Sequence, residues 1–280
     1  MGSKKYDLAV AYRIYPKVSG TPPILANDKY NLAKICLKSF KACLGDLKVK
    51  IYALLDKCPK QYEKLFENSF EKEDLKIIRL NGIGNKGTFN LQLKILLEQN
   101  DSDFVYFAED DYYYLSDQFK KMILFLKNDA EVHFVTPYDH LDHYNYHFHN
   151  YKSKIRAYAQ KHWRTIHSTC ATFLTTKQIL HETRKILQIY TKNTILLSSW
   201  VCLTKFQGLK PFTLLNYYLN DRRLFHYIYK AWRHGWKQIL FGKKWNLWCP
   251  MPTIGTHMEK EHLSPIIDWD TIFTKEIESL

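Results

Sequence analysis

Between residues 151 and 250 the sequence is almost without acid. That stretch holds 18 Lys/Arg against Glu182 and Asp221 alone, a balance of +16, while the other 180 residues hold 23 Lys/Arg against 26 acids, a balance of −3. Such asymmetry points to nucleic acid, an anionic membrane or an acidic substrate as something the chain meets. A cysteine pairing pattern is also missing. Cysteines 36, 43, 58, 170, 202 and 249 form no C-x-x-C pair and keep no regular spacing, which argues against zinc and a disulfide framework and for a reducing, cytoplasmic setting. The longest apolar run, around 194–203, is far too short to span a bilayer. The opening residues Met1 to Tyr6 carry no apolar signal region, and Tyr6 breaks the myristoylation pattern. A P-loop pattern is absent too.

What is present suits a globular α/β chain. Hydrophobic residues make up 46% of 280, enough for a core, with 20 Tyr, 16 Phe and 7 Trp among the rings. Apolar runs predict strands over 7–12, 48–55, 75–80 and 103–108. Helical periodicity fills the gaps, with Asn27 as one cap, Pro59 opening a second helix and Thr88 starting a third. Further strands are expected over 131–136 and 167–175, and helices over 117–128, 176–190 (capped by Thr176) and 195–206. This alternation implies a mainly parallel sheet with helices on both faces. The first four strand ends then share one edge, which brings together Arg13, Asp56, the glycine turn 82–87 and Glu109-Asp110-Asp111. Open α/β sheets bind ligands at that edge.

The chemistry concentrates there. Three consecutive acids repel one another unless a cation sits among them, and a hard divalent ion shared with substrate phosphates is the usual answer. Glycines before a helix let backbone N–H groups approach phosphate, with Lys86 and Thr88 adding contacts. The span 137–150 holds four His and two Asp, which suggests metal, but phosphate-bound ions prefer oxygen ligands; an acceptor loop is the better expectation. Residues 222–245 carry seven Lys/Arg and no acid. On a helix, Phe225, Ile228, Tyr229, Trp232, Trp236, Ile239 and Leu240 share one face and Arg223, Lys230, Arg233 and Lys237 the other, a pattern suited to an anionic membrane surface or to packing on the main domain. The proline-bearing tail after Trp248 is ordered only if it docks.

Together these features resemble nucleotide-sugar-dependent glycosyltransferases of the GT-A fold, close to the family-2 type of bacterial surface-polysaccharide synthesis. The resemblance rests on Asp56 after the second strand, Gly84-Asn85-Lys86-Gly87-Thr88-Phe89-Asn90-Leu91-Gln92, Phe107-Ala108-Glu109-Asp110-Asp111-Tyr112 as an E-D-D form of the D-x-D motif, and Pro252-Thr253-Ile254-Gly255-Thr256-His257-Met258-Glu259. It implies a GT-A-type Rossmann-like sheet with a basic helical C-terminal extension: 1–215 catalytic, 216–246 basic and aromatic, 247–280 returning to the active site. It implies Mn²⁺ or Mg²⁺ on Asp111 and His257. A nucleoside-diphosphate sugar would contact Ala11, Tyr12, Arg13, Asp56, Asn85, Lys86, Thr88, Asn90, Gln92, Glu109 and Asp110. The acceptor would be a glycan or lipid-linked saccharide, at the inner face of the cytoplasmic membrane. The family's acidic pair before the late apolar helix is replaced by Ser198-Ser199-Trp200, which leaves Asp139 as the expected base. A sugar-nucleotide-forming nucleotidyltransferase and a nucleic-acid-binding module are the rivals. The first lacks its glycine-rich signature after the first strand, and nucleic acid is not expected to be a partner.

Overall fold

The computed structural model describes residues 5–18, 20–149, 151–192, 195–206 and 210–280, without the side chains of His147 and Pro211. The N-terminal signal and myristoylation expectations rest partly on residues outside these. The first half alternates as expected: β1 (Leu8–Ile14), α1 (Lys29–Leu44), β2 (Val49–Asp56), α2 (Gln61–Glu67), β3 (Leu75–Leu80), α3 (Gly84–Glu98) and β4 (Phe104–Glu109). β5 (Tyr112–Tyr114), α4 (Phe119–Asn128), β6 (Phe134–Val135), α5 (Asp142–Asn145), β7 (Ile155–Tyr158), β8 (Lys161–Ile166) and β9 (Phe173–Thr176) follow. The remainder is α6 (Lys177–Leu187), α7 (Leu196–Thr204), α8 (Pro211–Asn220), α9 (Arg222–Phe241), β10 (Leu247–Met251), β11 (Gly255–His257) and α10 (Trp269–Glu278).

Nine strands form one sheet in the order β3-β2-β1-β4-β9-β6-β10-β8-β7. β1 to β4 are parallel, β9 runs antiparallel between β4 and β6, and β10 pairs parallel with β6. This is a Rossmann-like α/β arrangement, with the parallel first half expected from the sequence. The period-2 alternation of β1 explains its two cores. Leu8, Val10 and Tyr12 pack with Phe40, Phe66 and Phe119 on one face, while Ala9 and Ala11 meet Phe89, Leu93 and Trp200 on the other.

Some local expectations are corrected. Asp28, not Asn27, caps α1, its carboxylate accepting from the Asn31 N–H at 3.0 Å. α3 begins at Gly84, so the first turn of the helix absorbs what reads as a glycine loop. The strand expected over 131–136 shrinks to two residues. Thr176 does cap α6, accepting from Ile179 N–H. The stretch after Trp248 does not dock as loose chain: β10 is an interior strand, flanked by β6 and β8.

The basic helix α9 rotates relative to its simple amphipathic reading. Leu224, Ile228, Ala231 and Gly235 are its buried stripe, packed against α7. Tyr229, Trp236 and Leu240 are about half exposed instead, at 50%, 46% and 53%. Gly235 permits the close approach, since a Cβ there would meet Cys202 Sγ at 2.4 Å.

Candidate metal and nucleotide site

The parallel register places Arg13 beside Glu109 at the C-terminal ends of β1 and β4. The chain turns through Asp110 and Asp111 and enters β5, which pairs with β11 so that His257 stands opposite Tyr112. Met258 N–H donates to the Asp111 carbonyl at 2.7 Å and fixes that crossing. Gly255 allows it: a Cβ there would lie 2.9 Å from the Tyr113 carbonyl oxygen. A cavity of about 220 Å³ opens at this edge, lined by Arg13, Tyr15, Lys17, Asp56, Asn85, Thr88 and the three acids.

Each acid has its own environment. Glu109 is held by the Arg13 guanidinium and by Thr172 Oγ1–H at 2.9 Å. Burial works against the Arg13 charge, but Glu109 outweighs it and raises the arginine's pKa. Asp110 accepts from Lys29 Nζ at 2.9 Å and from Tyr15 N–H at 3.1 Å. Burial still lifts its pKa above the ordinary carboxylate range, with Lys29 pulling the other way. Asp111 faces His257, its Oδ2 3.3 Å from Nε2. Burial disfavours a charged imidazole there, yet Asp111 and, more weakly, Glu109 and Glu259 raise it to about 9.

The donor set therefore fits a divalent ion. Glu109 and Asp110 are paired with Arg13 and Lys29, whereas Asp111, in the cavity wall, meets His257 from a distant part of the chain. A histidine drawn towards the charged form by carboxylates marks a spot that attracts cations. One carboxylate and one imidazole, completed by water and phosphate oxygens, suit a divalent ion that takes both oxygen and nitrogen donors.

Other expected site residues have partners within the fold. Asp56 is 2% exposed, and its carboxylate accepts from the N–H groups of Gly82, Ile83 and Gly84 at 2.5, 3.1 and 2.9 Å. It organises the turn into α3 by holding those N–H groups, and it also stands in the cavity wall. The positive φ angles of Gly82 and Gly84, 86° and 70°, make this geometry possible. Gln92 is fully buried and clips the Ala11 and Ala108 carbonyls at 2.7 and 3.2 Å. Ala11 and Tyr12 are core residues of β1, and Asn90 is exposed where it accepts from Gln188 at 3.1 Å. Lys86 is partly exposed on the first turn of α3, while Asn85 and Thr88 line the cavity, the Asn85 carbonyl accepting from Arg13 at 3.0 Å. Sequence reasoning missed Lys29, Tyr15 and Thr172. Lys29, the first residue of a helix that follows the first strand, is the one with a readable position.

Asp139 is not placed to act as a base. It is 1% exposed, accepts from Arg164 Nη2 and Tyr144 O–H at 2.6 Å each, and its pKa is lowered by His143 and Arg164 although burial opposes them. A saturated, stabilised carboxylate is a poor proton acceptor. The histidine-rich loop instead lines a separate cavity of about 520 Å³, with Tyr138, Cys170 and Arg223 among its walls.

No family model matches the chain, and no curated protein does. Solved structures do resemble it. S. aureus TarS 1–349 aligns at 14% identity and a TM-score of 0.44, covering 64% of this chain, which spans 49% of that one. The galactosyltransferase LgtC, with donor and acceptor sugar analogues, aligns at 12% and 0.46 over 97% of this chain and 96% of its own. The mannosyltransferase PcManGT of Pyrobaculum calidifontis, with GDP-Man and Mn²⁺, aligns at 12% and 0.34 over 47% of this chain and 35% of its own.

Proposed function

We propose that the chain is a metal-dependent glycosyltransferase of the GT-A type, moving a sugar from a nucleoside diphosphate to a glycan or lipid-linked saccharide in surface-polysaccharide synthesis. The observation that carries this is the convergence of Asp111 and His257 at the sheet edge, beside a cavity with cationic and polar walls. Asp111 and His257 would hold Mn²⁺ or Mg²⁺, and the ion would neutralise the diphosphate as the sugar leaves. Arg13 and Lys29 hold Glu109 and Asp110 in place beneath it. Tyr15, Lys17 and Asn85 are the lining groups in reach of the nucleotide. The larger histidine-rich cavity is the room available to an acceptor.

The test is binding. Nucleoside diphosphates should raise the unfolding temperature with Mn²⁺ and much less without it, and Asp111→Asn should abolish that difference. It should also cost about 100-fold or more in turnover, several kcal/mol of transition-state stabilisation. A chain that no nucleoside diphosphate stabilises with metal is not such a transferase.

A peripheral placement on the inner face of the cytoplasmic membrane is part of this reading. Among the described residues no helix is long and apolar enough to cross a bilayer. Phe212, Leu215 and Leu219 of α8 are 89%, 56% and 68% exposed, and Phe241 of α9 is 78% exposed. Arg222, Arg233 and Lys237 of α9 are exposed beside them in sequence. Apolar side chains among cations suit an anionic lipid surface.

A further inference from the structure

A second group of metal-ligating side chains lies outside the diphosphate site. His140 and Asp142, at the entrance to α5, face His262 of the 3-10 turn Lys260–His262. Nδ1 of His140 and Nδ1 of His262 each lie 3.8 Å from Oδ1 of Asp142. One ligand atom from each residue falls within 4.8 Å of the others. The two imidazole rings are 5.0 Å apart, centroid to centroid. The nitrogens are in the right state and place to ligate. His140 Nδ1 accepts from the Asp142 N–H at 3.0 Å, so it carries a lone pair and not a proton. His262 Nδ1 is buried and makes no hydrogen bond among the described residues. A buried imidazole nitrogen beside a carboxylate, with no hydrogen bond of its own, lacks a partner that the rest of the fold does not supply.

All three residues line the cavity of about 520 Å³, so water or a substrate oxygen has room to complete the coordination. Tyr138 separates this group from the first site: its ring centroid is 4.9 Å from that of His140 and 6.4 Å from that of His257. Bonds of roughly 2.0–2.1 Å in a tetrahedron set ligand atoms about 3.4 Å apart, so the two 3.8 Å separations close by about half an ångström and the third, within 4.8 Å, by somewhat more. Two imidazoles and one carboxylate favour a borderline transition ion over Mg²⁺.

We propose that His140, Asp142 and His262 bind a zinc-class divalent ion, independent of any ion on Asp111 and His257. The ion takes the Nδ1 lone pair of His140, and the Asp142 N–H turns to cavity water. Three protein ligands leave one position open towards the cavity, where an acceptor hydroxyl or phosphate oxygen can bind. That last role alone rests on the glycosyltransferase reading; the metal site does not.

The experiment uses the full chain stripped with a chelator and titrated with Co²⁺ alone. Tetrahedral Co²⁺ absorbs strongly in the visible, whereas an oxygen-rich octahedral site hardly does. One equivalent should give the strong band, and Zn²⁺ should displace it. Asp111→Asn should keep the band. His262→Ala and Asp142→Asn should weaken binding by more than the roughly 10- to 100-fold that loss of an outer-shell partner costs. His262→Gln, closer in size and polar, gives a second reading if the alanine variant folds poorly. A wild-type chain without the band overturns the proposal. So does a band that survives in the His262 variants or vanishes in Asp111→Asn. The nucleotide-binding test above fails or succeeds separately, because it reads the Asp111 site.

Discussion

Arg13 shows how one residue anchors the first of the three acids. Its guanidinium is mostly buried, bonded to Glu109 and to the Asn85 carbonyl. Removing it leaves a buried carboxylate without its cation, which costs about 3–5 kcal/mol. Arg13→Met should therefore destabilise the chain by that order in urea melts, and Arg13→Met/Glu109→Gln should recover much of it, because the stranded charge is gone. Equal losses in the single and double variants would mean that Arg13 acts by packing alone. At this scale the sequence was partly legible. A strand-ending acid cluster and a late histidine are visible as residue types, and Asp111 and His257 do meet. The partners of Asp56, Gln92 and Asp139 within the fold could not be read, for one physical reason. A polar side chain at a strand end or on a helix reads the same whether it faces a ligand or satisfies buried backbone, and each of these turns inward: Asp56 to three N–H groups, Gln92 to two carbonyls, Asp139 to Arg164 and Tyr144.

At the scale of elements, the short β5–β11 pair carries more of the site than its length suggests. It is the device that brings His257 to Asp111, and Gly255 sets how closely the two strands pass. Gly255→Ala places a methyl group against the Tyr113 carbonyl and the Tyr114 ring, at 2.9 and 3.1 Å. Backbone cannot yield as a flexible side chain can, so about 1–3 kcal/mol of stability should be lost. More tellingly, Mn²⁺-dependent nucleotide binding should weaken although no ligand atom has changed. Unchanged binding would mean that His257 reaches Asp111 without help from this ladder. The parallel strands β1 to β4 were readable because each is a continuous apolar run between helical patterns. β5, β6 and β11, of two or three residues each, carry too little periodicity to read, and their pairing is set by partners far away in the chain. α9 was found in the right place but turned, because a helix with rings over much of its surface does not declare which stripe packs.

For the whole molecule, buried histidines tie the basic charge to acid sensitivity. His133 is 7% exposed, and its Nδ1 accepts from Asn246 N–H at 3.0 Å, joining the stretch before β6 to the start of β10. Burial and the nearby Lys243 lower its pKa to about 4, and burial with Lys244 lowers His167 to about 3. Both fall below the unfolded value of about 6.5. The native state thus holds these rings neutral while the unfolded chain takes up protons as soon as pH drops through 6.5. Stability is fully present above that value, declines as pH falls towards 4, and stops declining on their account below about 3. A shift of this size amounts to about 3 kcal/mol for one such group, a large part of a typical 5–15 kcal/mol total. The net charge of +13 adds self-repulsion in the same direction as more protons bind. Urea midpoints should fall steeply between pH 6.5 and 4.5, ahead of the range where carboxylates protonate. His133→Gln keeps an acceptor for Asn246 without a proton site, so its midpoint should depend on pH less steeply than that of the wild type. Parallel slopes for the two would show that the loss comes from other groups and not from this ring. The sheet would then owe the join between its early and late strands to packing around Trp245 and Trp248 and not to a neutral imidazole.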